Sequence, residues 1–309
     1  MANAPASQTA DALTLATLAL CTASYLPDVA SIPAAVQATP PLAAGGQWRC
    51  IWGPVQDSDQ SNLALVAGYF PNPNAGPQTI CVTLRGTDFD ITDIWGMLEQ
   101  IWEDLDASDP QPMPWALNDP AHVASGTLDG LAIIQALTAN GQTLGQFLTA
   151  FFSQAANANV TILVTGHSLG GCLATIVAAW IRILLPSFRG AIQPITFAAP
   201  TAGNMLDTPD IIWLGVLGME AALDLMDARY AQPSQGEQIL PGVFLLNDST
   251  DWYAQALHQH HLATYLGLLT GTPVDTTALP QPSVTHTAKA RLVKRIGSID
   301  DALKRLGDA

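Results

Sequence analysis

Gly166-His167-Ser168-Leu169-Gly170 has the G-x-S-x-G spacing that suits acyl transfer. A serine hydroxyl is a weak nucleophile until a base takes its proton and hydrogen-bond donors hold the oxyanion formed at the attacked carbonyl. The glycines answer part of that need. A turn that strains the serine at the tip of a sheet brings strand and helix so close that the flanking positions cannot carry a Cβ. The Ser168 hydroxyl is then expected to be exposed, with the amide of Leu169 aimed at the same spot. The plain alternative is a serine in an ordinary glycine-rich turn or phosphate cradle; no lysine follows the glycines, which argues against a phosphate loop.

The flanks decide between these readings. Val160, Ile162 and Val164 alternate as in a buried strand, and Leu173, Ile176, Val177, Trp180 and Ile181 recur as on a helix. Upstream, Thr79-Ile-Cys-Val-Thr-Leu84 reads as another strand, running into Arg85-Gly86-Thr87-Asp88. A strand ending in glycine and a small hydroxyl residue can aim a backbone N–H at a neighbouring strand end, which makes Thr87 the candidate second oxyanion donor. A helix N-cap or turn residue is its alternative.

After Thr87, the residues Ile91, Ile94, Trp95, Leu98, Ile101, Trp102 and Leu105 step by three and four, giving a helix over about 92–105 with one apolar, aromatic face. Such a stripe is either core packing or a lid that covers the serine in water and opens onto a lipid surface. The proline-bearing stretch 106–120 would serve as its hinge. Elsewhere the pattern gives a helix ending near Pro27, strands at 47–54 and 64–70, helices from Ser125 and over 144–152, and a strand at 192–199. Strands alternating with helices imply a largely parallel sheet with chemistry at the carboxyl ends of its strands.

Composition narrows the partners. The 309 residues are 49% hydrophobic and carry a formal net charge of −15. Six of the eleven cations fall in the last 21 residues with three of the 26 acids, leaving the preceding body five cations against 23 acids. So acidic a body should repel nucleic acid and anionic membrane and prefer neutral substrates. No apolar stretch makes a convincing transmembrane helix, and the N-terminus lacks the cations of a signal peptide, so a cytoplasmic location is the default expectation. Cys21, Cys50, Cys81 and Cys172 show no metal or close-pair spacing, and Cys81 and Cys172 read as buried thiols.

Taken together, Thr79-Ile-Cys-Val-Thr-Leu-Arg-Gly-Thr87, Val164-Thr-Gly-His-Ser-Leu-Gly-Gly171 and Phe197-Ala-Ala-Pro-Thr-Ala-Gly-Asn204 resemble the class 3 (fungal-type) lipase family of α/β-hydrolases, over about residues 48–269. The resemblance implies an α/β-hydrolase: a mostly parallel central sheet flanked by helices, with a lid helix after the oxyanion strand. It implies esterase or triacylglycerol lipase activity without a metal or organic cofactor, on a neutral lipid or ester at a lipid–water interface. It places the oxyanion hole at Thr87 and Leu169, and it makes the helix after Thr87 the lid. Trp95, Leu98, Trp102 and His167 are then the candidate substrate contacts.

The family's acid matches Asp207 in Asn204-Met-Leu-Asp207-Thr-Pro-Asp-Ile-Ile-Trp213, although the strand expected before it is missing; Asp210 and Asp251 are in reserve. An N-cap is the alternative for Asp207. The base must follow in chain order. Gln259-His260-His-Leu-Ala-Thr-Tyr-Leu266 matches the family stretch and points to His260, with His261 the runner-up. Metal binding by His258, His260 and His261 is disfavoured because two of them adjoin and no acid sits at a ligand-like interval. His167 sits inside the elbow, where its side chain cannot reach round to the serine, and so is not the base.

The expected organisation is an N-terminal helix and connector (1–46), a catalytic domain (47–270, lid about 90–120), and a linker with a basic C-terminal helix (271–309). That helix would dock on the acidic body, pair two subunits as a homodimer, or touch a membrane; opposite charge favours the first. A phospholipase A1 or acyltransferase would use the same triad, and a catalytically silent hydrolase-fold binding module is the reading from another class.

Overall fold

The β-branched stretches of the sequence lie side by side in one five-stranded sheet. In the computed structural model, which describes residues 11–86, 110–114, 122–199 and 261–273, its strands are β1 (Gln47–Gln56), β2 (Leu63–Phe70), β3 (Thr79–Arg85), β4 (Thr161–His167) and β5 (Ile192–Phe197), adjacent in that order. β1, β2 and β3 pair antiparallel, whereas β3, β4 and β5 run parallel. Every residue of β3 is buried, as is all of β4 after Thr161. Burial on both faces is why these strands read as nearly unbroken apolar runs.

Parallel neighbours need crossovers, and these are helical. Between β3 and β4 run α3 (Ser125–Ala136) and α4 (Leu144–Phe152), and between β4 and β5 runs α5 (Leu169–Leu184). Helix α4 starts at a capping box: Thr143 accepts from the Gln146 amide, and the Gln146 side chain accepts from the Thr143 amide. Right-handed crossovers between strands added in one direction fall on one face of a sheet. Accordingly Ile80, Val82, Leu84, Ile162 and Val164 share a core with Leu131, Leu148, Leu173 and Val177 from all three helices.

Among the described residues, the opposite face is covered mainly by the N-terminal ones. Helix α1 (Ala12–Ser24), opened by the Asp11 carboxylate accepting from the Thr14 amide, and α2 (Ile32–Ala38) cover it. Ala16, Leu20, Ile32 and Val36 pack there on Leu65, Ala67, Cys81 and Leu163. Helix α6 (Leu262–Thr270) lies against α1 and the end of β5, where Leu262 and Leu269 meet Leu18 and Phe197. Among the described residues no helix is long and apolar enough to cross a membrane.

The cysteines sit where periodicity expects thiols in a core. Cys21, Cys81 and Cys172 are buried and Cys50 is half-buried, all four as free thiols. Burial pushes the Cys21 thiol up to about 12 and the Cys50 thiol to about 11, and raises Cys81 and Cys172 as well. Since the thiolate is the reactive form, Ellman's reagent is expected to find essentially no reactive thiol in the native chain at mildly alkaline pH and all four after denaturation. Rapid native reaction of two or more would show that the core opens.

Candidate active site

The site is built where β3, β4 and β5 end. Ser168 follows β4 directly and starts α5 with φ 53° and ψ −127°. A residue with a Cβ seldom adopts such a backbone, and the cost is about 1–3 kcal/mol. Three hydrogen bonds hold it: the Ser168 amide donates to the Phe197 carbonyl at 2.9 Å, and the Ser168 carbonyl accepts from the amides of Gly171 at 2.8 Å and Cys172 at 3.3 Å.

The glycines around it are there for space. A Cβ on Gly166 would overlap the Gly170 carbonyl. One on Gly170 would lie 2.6 Å from the Leu84 carbonyl oxygen, and one on Gly86 would lie 2.8 Å from both the Gly170 amide nitrogen and the Leu169 Cβ. Strand β4 therefore crosses α5 backbone against backbone, and the end of β3 presses on the first turn of the same helix. Because Leu169 is the first residue of α5, its N–H has no intrahelical acceptor.

One expectation is corrected. The Ser168 hydroxyl is not open to solvent: the residue is 4% exposed, and its Oγ is buried with no hydrogen-bond partner among the described residues. The turn presents the hydroxyl at the sheet end but does not decide whether solvent reaches it. An unsatisfied buried hydroxyl costs about 1–3 kcal/mol, a cost that a folded protein keeps mainly where a group has chemistry to do.

The other candidate residues divide by position. Leu169 and His167 are both buried at the elbow, His167 at the last position of β4 opposite Arg85 of β3 and Phe197 of β5. Thr87, Trp95, Leu98, Trp102, Asp207 and His260, with the lid and the reserves Asp210 and Asp251, lie outside the described residues. His261 is described. It caps α6, its Nδ1 accepting from the Ala263 amide at 3.2 Å. A neutral imidazole accepting at Nδ1 carries its proton on Nε2, whereas a base oriented by a carboxylate needs Nδ1–H and a lone pair at Nε2. His261 is therefore arranged the wrong way for that role.

Helix α6 is anchored beside the elbow. The Tyr265 ring lies 6.0 Å from that of Phe197, whose carbonyl binds the Ser168 amide. His261 precedes Tyr265 by four residues, about 6 Å along the helix axis. Sequence reasoning missed two further residues at the elbow. Tyr25, at the end of α1, donates its hydroxyl to the His167 carbonyl at 3.2 Å, and its ring meets the His167 ring edge-on at 5.8 Å. Arg85, only 3% exposed, donates to the carbonyls of Ser24 at 3.1 Å and Gln60 at 3.2 Å. A buried arginine at a strand end is the one signal that the sequence offered for either.

The model of the family described as Lipase (class 3) matches residues 81–206, from within β3 through the elbow and β5. The resemblance to class 3 lipases is shown. The match supports a hydrolase that acts on esters. The crystal structure of M37 lipase is similar with a TM-score of 0.62 and 18% identity, covering 84% of this chain and 91% of that one. That likeness carries the fold, an α/β-hydrolase with a mostly parallel central sheet and flanking helices. Rhizomucor miehei lipase in its propeptide complex has 22% identity and a TM-score of 0.40, covering 62% of this chain and 53% of that one. For the lipase from Rhizopus microsporus var. chinensis the values are 18% and 0.38, over 63% and 57%. A comparison with curated proteins finds no match.

Proposed function

We propose that this chain is a serine carboxylic ester hydrolase, a triacylglycerol lipase or esterase working through an acyl-enzyme on Ser168. The observation that carries the reading is the serine itself, strained, unpartnered among the described residues, and gripped by glycines that admit no Cβ. His260 takes the Ser168 proton as the hydroxyl attacks the ester carbonyl, and Asp207 holds the imidazole in the required tautomer. The amides of Thr87 and Leu169 hold the oxyanion; collapse then expels the alcohol with the proton from His260. Water repeats the sequence on the acyl-enzyme and releases the acid. The capping role of His261 supports His260 over its neighbour, and the packing of Tyr265 on Phe197 supports a base delivered from this end of α6. Contact of Gly86 with the elbow supports Thr87, the residue after it, as the second oxyanion donor. Trp95, Leu98, Trp102 and His167 are proposed to line the acyl path. The chemistry calls for no metal or organic cofactor.

The native chain is expected to hydrolyse p-nitrophenyl butyrate and p-nitrophenyl palmitate, with a higher rate on emulsified than on dissolved ester. No turnover of either would leave a silent module, and equal rates in both states would count against a lid. A faster release of acid from phosphatidylcholine than from triacylglycerol would move the assignment to a phospholipase. Replacing Asp207, Asp210 and Asp251 singly by Asn is expected to lower kcat strongly only at Asp207. An unimpaired Asp207→Asn would shift the acid to one of the others.

A further inference from the structure

The strain at Ser168 needs a cause that holds it, because such backbones persist only where their surroundings over-determine them. The peptide unit joining His167 to Ser168 is fixed at both ends. Its N–H donates to the Phe197 carbonyl at 2.9 Å, and its C=O accepts from the Tyr25 hydroxyl at 3.2 Å. Rotation of that plane is rotation of the Ser168 φ, so the two bonds together set the direction in which the serine Cβ leaves the backbone. One of them comes from the next strand. The other comes from a helix 142 positions away in sequence and outside the segment matched by the family model.

Tyr25 is itself placed by contacts of the same kind. Arg85 lies opposite His167 in the parallel register of β3 and β4 and donates to the carbonyl of Ser24, the residue before Tyr25. Two adjacent residues of α1's end are thus keyed to two adjacent strands. One turn earlier, Cys21 meets Thr165 at 3.1 Å, a polar contact at the same helix–sheet interface that does not touch the elbow peptide.

We infer that Tyr25 is a positioning residue for the nucleophile, its hydroxyl acting through the His167 carbonyl to hold Ser168 in its reactive backbone conformation. This rests on Ser168 being the nucleophile, as proposed above. Tyr25→Phe removes the hydroxyl and keeps the ring against His167. Cys21→Ala removes a buried contact of the same helix that leaves the elbow peptide alone. Two measurements on the full chain separate the roles. In Tyr25→Phe, hydrogen exchange of the Ser168 amide should rise about tenfold, and kcat on dissolved p-nitrophenyl butyrate should fall about tenfold per active site with KM within about twofold, equivalent to about 1.4 kcal/mol in the barrier. In Cys21→Ala, Tm should fall while both readouts stay at native values. Unchanged exchange in Tyr25→Phe would overturn the brace whether or not the chain turns over ester. Raised exchange with unchanged kcat would overturn the role in positioning, as would equal kcat losses in the two variants. If the native chain turns over no ester, the nucleophile assignment falls and the positioning role with it, while the exchange result still says whether Tyr25 holds the peptide.

Discussion

Ser168→Ala is expected to lower kcat by about 10⁴-fold to 10⁶-fold on any ester that the native chain hydrolyses, the range seen when the nucleophile of a serine triad is removed. In barrier terms this is about 5–8 kcal/mol. The same substitution should leave the fold as stable as before, or more so. Ser168 Oγ is buried without a partner among the described residues, so alanine deletes an unsatisfied group from the interior at no loss of hydrogen bonding there. For each kcal/mol recovered, Tm should rise by about 2–4 °C. Loss of activity with a steady or raised Tm is the signature of a residue kept for chemistry at some expense to stability. Retention of about one hundredth of the native rate would mean that another nucleophile does the work. A fall in Tm would mean that the hydroxyl has a structural partner.

Gly166→Ala should have the largest effect on the scaffold. The added methyl group would overlap the Gly170 carbonyl, and the conflict is between backbones. No side chain can turn away to relieve it, so β4 and α5 must separate. Overpacking a core usually costs about 1–3 kcal/mol and occasionally more. A rigid backbone clash belongs at or above the top of that range, a Tm loss of about 6–12 °C. Activity should be lost as well, because the Ser168 amide and carbonyl are hydrogen-bonded within the crossing that would be forced apart. Gly76→Ala is the comparison: a Cβ there meets nothing within 4 Å, and Tm and kcat should both stay near native values. Equal behaviour of the two variants would show that the crossing at the elbow is looser than described.

Much of the site's scaffold can be read along the chain because it is local. The G-x-S-x-G run, the alternation before it and the helical spacing after it all concern residues within one turn or one strand of Ser168. The steric demand that selects glycine at 166 arises inside that same unit, whereas the one at 170 comes from the end of β3. The parallel strands β3 and β4 were legible for a related reason, since burial on both faces writes itself as a nearly unbroken apolar run. Likewise the cysteines of β3 and α5 were expected to be buried, and they are.

What lay beyond sequence reading is what depends on elements far apart in the chain. Nothing local to Tyr25 says that its hydroxyl ends on the carbonyl of His167, and nothing local to His261 marks it as a cap whose Nδ1 is already engaged. Periodicity reports which face of an element is buried but not which partner it meets. That α1 closes the second face of the sheet follows only from the handedness of the crossovers, which puts their helices on the other face. The burial of the Ser168 hydroxyl is of the same kind. The strained turn that carries it was written in five consecutive residues, whereas the bonds from Phe197 and Tyr25 that hold its direction, and its shelter from water, were decided only by the tertiary structure.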